Sequence, residues 1–354
     1  MEKSEDPQIF KPVSKVNLAE FQEDAVHRIM NRLKKYGAAL VADSVGLGKT
    51  WIAKKVIEEF GFYKRRKFLI VCPAQLRGMW EKEVKDLILS PFIISQEELA
   101  APDFLHKTNL VLKSGLEDVS LMVIDESHNF RNPLSNRWEN CFSLLENIEQ
   151  KNGKSPFVLL LTATPINNTL WDLYWQIMLM TLMKKELFLK DGIEDILKHF
   201  KRVERQDNPE LLGDILNEIS IRRTRDYIKR NYPDATIEGK PILFPQRVLE
   251  RDIEYRLDEA FSGMYKSISH AITDELTMAY YRILEFKKTE QLTPDEQFAL
   301  GRMIALEGIF RTILLKRLES SVEAFRISVQ RHIDFLLTLK KYLENGKVLT
   351  KKFF

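Results

Sequence analysis

The sequence predicts an α/β fold in which a parallel sheet carries helices on both faces, followed by an α-helical extension. Three observations predict it. Short apolar runs alternate with helical patterns between Leu40 and Thr181. The runs "FLIVC", "LMVID" and "FVLLLT" are apolar on both faces, as strands inside a parallel sheet must be. Strand-like runs almost vanish after Thr181.

Strands are predicted at Ala39–Ala42, Phe68–Cys72, Leu121–Asp125 and Val158–Leu161, with helices after Lys49, Gly78, Asn136 and Thr169. Residues from about 182 to 219 read as a helical insertion, interrupted at "RQDNPELLG". Asn231–Gln246 holds Pro233, Pro241, Pro245 and Gly239, which makes it an extended connector. The expected domains are therefore residues 1–232 and residues 233–354. The second contains helices at about Arg256–Lys288 and Pro294–Leu343, the latter opening on Thr293-Pro294-Asp295-Glu296. In it Leu318, Val322, Phe325, Val329, Ile333 and Leu336 form an apolar stripe that needs a partner, within the chain or on a missing domain.

With 44% hydrophobic and 30% charged residues, the 354-residue chain has the composition of a soluble globular protein. Its net charge of +3 is too small for bulk electrostatics to mark a nucleic-acid binder, so any such binding has to come from local patches. Cys72 and Cys141 lack metal-ligand spacing and read as reduced packing residues. The N-terminus has no apolar signal region, and no run approaches a membrane span, so a cytoplasmic protein is expected.

The chemistry is concentrated in two stretches. "LVADSVGLGKTWIAKKVIEEF" is a buried strand, a small-residue loop, a Lys-Thr pair and a helix. Backbone N–H groups of Ser44, Val45, Gly46, Leu47, Gly48, Lys49 and Thr50 would wrap a β-phosphate, with the helix N-terminus adding its positive end. Lys49 would reach the β- and γ-phosphates and Thr50 would ligate Mg2+, so nucleoside triphosphate binding is expected. Asp43 stands where the usual phosphate loop starts with Gly. In "LMVIDESHNFRN", four apolar residues drive a strand into the sheet and leave Asp125 and Glu126 at its carboxyl end. Asp125 suits the metal shell and Glu126 suits a base that activates water.

"ADSVGLGKT", "DESH" and "LTATPINN" together resemble motifs I, II and III of superfamily-two helicases, and in detail those of the Swi/Snf-like DNA translocases, of bacterial or archaeal type. In that family motif I reads A-D-E-x-G-L-G-K-T, so Asp43 is expected, while Ser44 replaces the usual Glu. "NLAEFQEDAV" looks like the Q motif, implying that Gln22 reads the adenine edge. "CPAQLRGMWEKEV" looks like motif Ia, and "ISIRRTRDYI" resembles the arginine-rich strand closing the first lobe; Arg222 and Arg223 could otherwise form surface ion pairs. "ISQEEL" only echoes the segment before motif II. Trp80, Trp171 and Trp175 read as core aromatics, and His128 as a bridge from motif II to Thr162 or Thr164.

The resemblance implies the first RecA-like lobe of an ATP-dependent double-stranded DNA translocase or remodeller, a DEAH-box ATP hydrolase using ATP and Mg2+. It implies weak DNA contact for this lobe alone, through Pro73, Ala74, Gln75, Thr162 and Thr164. A second RecA-like lobe with its arginine-bearing motif is not found before Phe354, so it is expected in cis or in trans, and the isolated chain is expected to be nearly inactive. Two rivals stand beside this reading: an RNA-directed DExH helicase lobe, and a nucleotide-gated scaffold without turnover.

Overall fold

Helix α1 (Glu20–Tyr36) begins where Gln22 folds back, its Oε1 accepting the Ala19 N–H at 3.1 Å, and ends at Gly37, whose φ of 74° turns the chain into the sheet. In this computed structural model, residues 14–85, 87, 92–104, 119–206, 208–245, 259, 261–286 and 293–346 are described. They divide into two compact units, residues 1–246 and 247–354.

In the first unit, β1 (Ala38–Val41) leads to α2 (Lys49–Ile57), then β2 (Lys67–Cys72), α3 (Arg77–Lys85), β3 (Phe92–Ser95), α4 (Gln96–Leu99) and β4 (Val119–Ile124). Next come α5 (Asn136–Asn152), β5 (Phe157–Leu161), α6 (Trp171–Met180), α7 (Ile196–Gln206), α8 (Gly213–Ile219), β6 (Ser220–Ile221) and α9 (Arg225–Asn231). The six strands form one parallel sheet in the order β3-β2-β4-β5-β1-β6. Strand periodicity sorts the core into two layers. Leu40, Val71, Ile124 and Leu160 face Trp138, Leu144 and Ile177 on one side, whereas Val41, Ile70, Val123 and Leu161 face Ile29, Ile52 and Trp80 on the other. Cys72 and Cys141 are buried free thiols in opposite layers, each pushed up to about 12 by burial.

Two strands extend the sheet beyond the four read from apolar runs. The β3 strand is a half-buried edge of four residues, and β6 has only two, placed by pairing Leu40 with Ser220 and Val41 with Ile221. The connector carries a short hairpin, β7 (Thr236–Ile237) with β8 (Lys240–Pro241), and Tyr232, Ala235, Ile242 and Phe244 pack with Phe21 and Leu47.

The second unit departs from the long helices read in the sequence. Residues 256–258, 260, 287 and 288 lie outside the described residues, and within residues 261–286 the expected Arg256–Lys288 helix is broken. It comprises α10 (Tyr265–His270), a π-turn at Ala271–Glu275 and 3-10 turns at Ala279–Tyr281 and Ile283–Phe286. Arg311 is the cause: its guanidinium takes the carbonyls of Thr273 at 2.9 Å and Leu276 at 2.5 Å, satisfying groups that a continuing helix would otherwise use. The expected Pro294–Leu343 helix is two, α11 (Pro294–Ser320) and α12 (Val322–Glu344), split at Ser321, whose extended backbone and Oγ cap the second at the Ala324 N–H. The apolar stripe is only partly covered. Leu318 is buried and Phe325 and Val329 are half-buried, but Val322, Ile333 and Leu336 are exposed, and α12 packs through His332 and Phe335 against Phe310 and Tyr280, with ring centroids 4.9 and 5.2 Å apart in the His332–Phe310 and Phe335–Tyr280 pairs.

Candidate functional site

The six strands of the main sheet run the same way, so their carboxyl ends share one edge, and the strand order dictates which motifs meet there. Reading along the edge, β2 delivers Pro73, β4 delivers Asp125, β5 delivers Thr162, β1 delivers Asp43 and its loop, and β6 delivers Arg222 and Arg223. Only β5 separates β1 from β4, so the loop and the acids stand about 10 Å apart at the strand level, within reach of a lysine side chain.

The loop after β1 depends on its glycines. Gly46 and Gly48 sit at φ of 85° and 79°, a region that disfavours other residues. A Cβ on Gly48 would stand 2.4 Å from Gln22 Nε2, and one on Gly46 would stand 2.9 Å from Arg225 Nη2. Gln22 is buried and braces the loop, donating Nε2–H to the Leu47 carbonyl at 3.1 Å while its Oε1 serves the α1 cap. Arg225 donates to the Val45 carbonyl at 3.1 Å. Lys49, at the start of α2, donates Nζ–H to the Asp43 carbonyl at 2.9 Å. Burial pushes its ammonium below the ordinary lysine range, opposed by the negative charges of Asp43, Glu126 and Asp125. Thr50 is half-buried beside it, and Trp51 follows with 45% of its surface exposed.

Asp43 is buried and turned away from the loop mouth. Its Oδ1 accepts the Arg223 backbone N–H at 2.8 Å and Nε–H at 3.2 Å, and its Oδ2 meets Arg223 Nη2. The Ser44 N–H closes the junction on the Arg223 carbonyl at 3.0 Å. Arg223 is thus a buried partner and not a member of a surface ion pair.

At the end of β4, the Asp125 carboxylate accepts Trp80 Nε1–H at 3.0 Å and the Glu126 N–H at 2.9 Å. Burial raises its pKa above the ordinary aspartate range, and the Trp80 hydrogen bond opposes that rise. Gln96 donates to the Asp125 carbonyl at 2.7 Å and accepts from Asn129 at 2.8 Å, fixing the turn. Glu126 holds φ 48°, ψ 49°, a left-handed conformation that costs a non-glycine residue on the order of 1 kcal/mol or more. That turn aims its carboxylate at His128, with Oε2 3.2 Å from Nδ1, and the same nitrogen lies 3.2 Å from Thr162 Oγ1. Ser127 continues the link, donating to Gln176 Oε1 at 2.9 Å while Gln176 donates to the Pro165 carbonyl at 2.7 Å. Asp172 then holds the following loop, its Oδ2 accepting the N–H groups of Asn167, Asn168 and Thr169 at 3.1, 2.7 and 3.3 Å.

Residues 92–240, which include the acids, the threonine loop and the arginine strand, match the SNF2-related domain family. This stretch is an SNF2-related domain. It is 28% identical over 228 residues to the uncharacterized ATP-dependent helicase YqhH of Bacillus subtilis, covering 60% of this chain and 37% of that protein. It is 22% identical over 245 residues to the mouse chromodomain-helicase-DNA-binding protein 1-like, covering 62% and 26%, respectively. The solved SWI2/SNF2 ATPase core of Sulfolobus solfataricus in complex with double-stranded DNA aligns with a TM-score of 0.44 at 20% identity, covering 78% of this chain and 58% of that one. The chain spans less than half the length of the two relatives compared by sequence.

The residues assigned to DNA lie at different depths. Ala74 and Gln75 are exposed and Pro73 is half-buried beside β2, whereas Thr162 is fully buried and committed to His128 and the Thr164 N–H at 3.2 Å. Thr164 itself is exposed. Sequence reasoning missed Gln96, Gln176, Arg225 and the polar use of Trp80. Only Gln96 had a local signal: Ser95 and Glu98 form a capping box, with Ser95 Oγ accepting the Glu98 N–H at 3.1 Å, and that fixes the helix start at Gln96. Among the described residues, no helix is long and apolar enough to cross a membrane.

Proposed function

We propose that this chain is the ATP-binding lobe of an ATP-dependent double-stranded DNA translocase or remodeller, completed by a second lobe in cis or in trans. One observation carries the reading: Lys49 and the Asp125–Glu126 pair stand at the same carboxyl edge of a parallel sheet, with only β5 between the strands that lead to them. The donor set fits a magnesium-bound triphosphate. Two positive-φ glycines let the loop close against Gln22 and Arg225 where a Cβ would collide, a half-buried cation opens the following helix, and an oriented carboxylate stands at the same sheet edge.

When bound, Mg·ATP supplies the phosphoryl group to be transferred. The chain's own residues bind and orient. Lys49 and the loop N–H groups would hold phosphate oxygens, while Thr50 and Asp125 would hold the metal. Glu126, on its strained turn, takes the proton of the attacking water at a carboxylate oxygen, and His128 ties that group to Thr162. Trp51 offers an exposed aromatic face beside Gln22 and Gly48 for the base. Pro73, Ala74, Gln75 and Thr164 form the edge suited to a duplex backbone, a contact that positions without reading sequence.

Calorimetric titration with Mg·ATP tests the nucleotide assignment. Lys49→Ala removes a charge-assisted contact worth about 2–3 kcal/mol, so affinity is expected to fall on the order of a hundredfold with circular dichroism unchanged. Near-wild-type affinity in that variant would sink the assignment. For the protein with both lobes, duplex DNA should stimulate phosphate release more than single strands or RNA. Preference for RNA would favour a helicase acting on RNA, and no turnover would favour a nucleotide-gated scaffold.

A further inference from the structure

The opposite edge of the sheet carries a second charged feature that the nucleotide site does not use. Beneath the amino ends of β2, β4 and β5, three adjacent strands, lies a cavity of about 550 Å³. Arg65 and Arg66 from the turn before β2 and Lys67 at its start line it, with Asn152 at the end of α5 and Lys154 and Ser155 from the turn that leads to β5. Among the described residues no carboxylate lines it. Glu149, which accepts from Ser155, is engaged by Lys184 at 3.2 Å. Lys64 sits at the same turn with its ammonium 4.3 Å from the Phe60 ring centroid. Burial lowers its pKa; Glu59 opposes that, and repulsion from Arg66 and Lys34 adds to it.

We propose that this cavity is a second phosphate-binding site, which holds the backbone of duplex DNA at the sheet edge remote from the nucleotide. Guanidinium, ammonium and amide donors converge on one concave space, the donor set that phosphate oxygens require, while the Ser120 and Ser155 hydroxyls donate to the Lys67 carbonyl and to Glu149. The run of β2, six residues at about 3.3 Å each, separates this edge from the Pro73–Gln75 edge by about 17–20 Å. A duplex has a phosphate every 1.7 Å of its axis, so a bent or neighbouring segment can reach the cavity while the first contact is held. Two contacts on opposite edges would fix the lobe's orientation on DNA. One contact at the carboxyl edge would leave it free to pivot.

The inference rests on the duplex-DNA reading above, and its test separates the two. Labelled 30-base-pair duplex is titrated with the full chain and with an Arg66→Ala/Lys154→Ala double variant from low to physiological salt, followed by fluorescence anisotropy. Both residues are exposed, so the fold is expected to survive, with circular dichroism as the check. Losing two phosphate contacts should make the slope of log K against log salt shallower by about 2 and weaken low-salt binding at least on the order of tenfold. Mg·ATP affinity should stay unchanged. An unchanged slope and affinity would overturn the proposal, as would a wild-type chain that binds no duplex while still binding Mg·ATP, an outcome that leaves the nucleotide site standing. Inorganic phosphate at low millimolar concentration should compete poorly. If it abolishes the difference between wild type and variant, the cavity takes a free anion and the DNA assignment is wrong.

Discussion

Arg223 and Asp43 form a buried ion pair that joins the nucleotide loop to the last strand of the sheet, with the guanidinium spanning both carboxylate oxygens and the Arg223 backbone N–H adding a third bond at 2.8 Å. The same guanidinium donates to the Phe21 carbonyl and lies over the Phe21 ring, its central carbon 5.3 Å from the centroid. One arginine therefore ties α1, the loop after β1 and β6 together, although these segments are far apart in the chain.

Breaking that pair should cost stability. Asp43→Ala strands a buried cation, and removing one partner of a buried pair typically costs about 3–5 kcal/mol. Urea unfolding of the variant should show the midpoint shift with an unchanged slope. A loss below about 1 kcal/mol, the range of surface pairs, would mean that the pair is solvated in solution.

Trp80 makes a separate prediction, because its ring and its N–H do different work. The ring fills the core beside Val84, and the N–H orients Asp125. Trp80→Phe keeps most of the packing and removes a hydrogen bond to a charged group worth about 1.5–3 kcal/mol. The Mg2+ requirement for ATP binding should rise by on the order of tenfold or more, while magnesium-free nucleotide affinity changes little. Equal losses in both would assign Trp80 to packing alone.

Acid sensitivity should trace in part to Asp172. Burial raises its pKa, but the N–H groups of Asn168, Asn167 and Thr169 outweigh that, with Arg131 adding to them, so its folded value lies below the usual aspartate range. A lowered folded pKa gives stability that is present above the unfolded value, near 3.9, and lost as pH falls through the folded value. Asp172→Asn should therefore be less stable at pH 7, while its stability falls less than that of wild type between about pH 5 and 3. Parallel pH profiles for the two proteins would refute the assignment.

The central strands were legible because burial on both faces leaves a mark in every residue of "FLIVC" or "LMVID". The loop and the acids were legible because phosphate and metal chemistry demand particular residues at fixed offsets. What stayed hidden depends on pairing across the chain. The edge strand β3 buries too little to show a pattern, and two-residue β6 exists only through its register with β1. Trp80 looked like core because its ring is core; the polar end is visible only once β4 lies beside α3. In the second unit the apolar stripe was only partly right: Leu318 is buried and Phe325 and Val329 are half-buried, but half-buried His332 and Phe335 take the contacts with Phe310 and Tyr280 in place of Val322 and Ile333.

The final prediction concerns turnover. The chain brings together a phosphate cradle at Lys49 and Thr50, a metal ligand at Asp125 and a base at Glu126, yet a transition state also needs positive charge on the γ-phosphoryl oxygens. An arginine finger supplies on the order of 10³ to 10⁵ in rate, or about 4–7 kcal/mol. Arg223 is locked on Asp43 and cannot serve, and Arg225 is held on the outside of the loop by the Val45 carbonyl. The Swi/Snf resemblance assigns the finger to a second lobe. Phosphate release by this chain alone should stay near background with or without duplex DNA, and should rise by at least on the order of 10³ when an arginine-bearing second lobe is joined to it or added. Robust turnover by the chain alone, abolished by Glu126→Gln, would defeat this account. Its further loss in Arg225→Ala would then identify Arg225 as a finger released from Val45 once nucleotide binds.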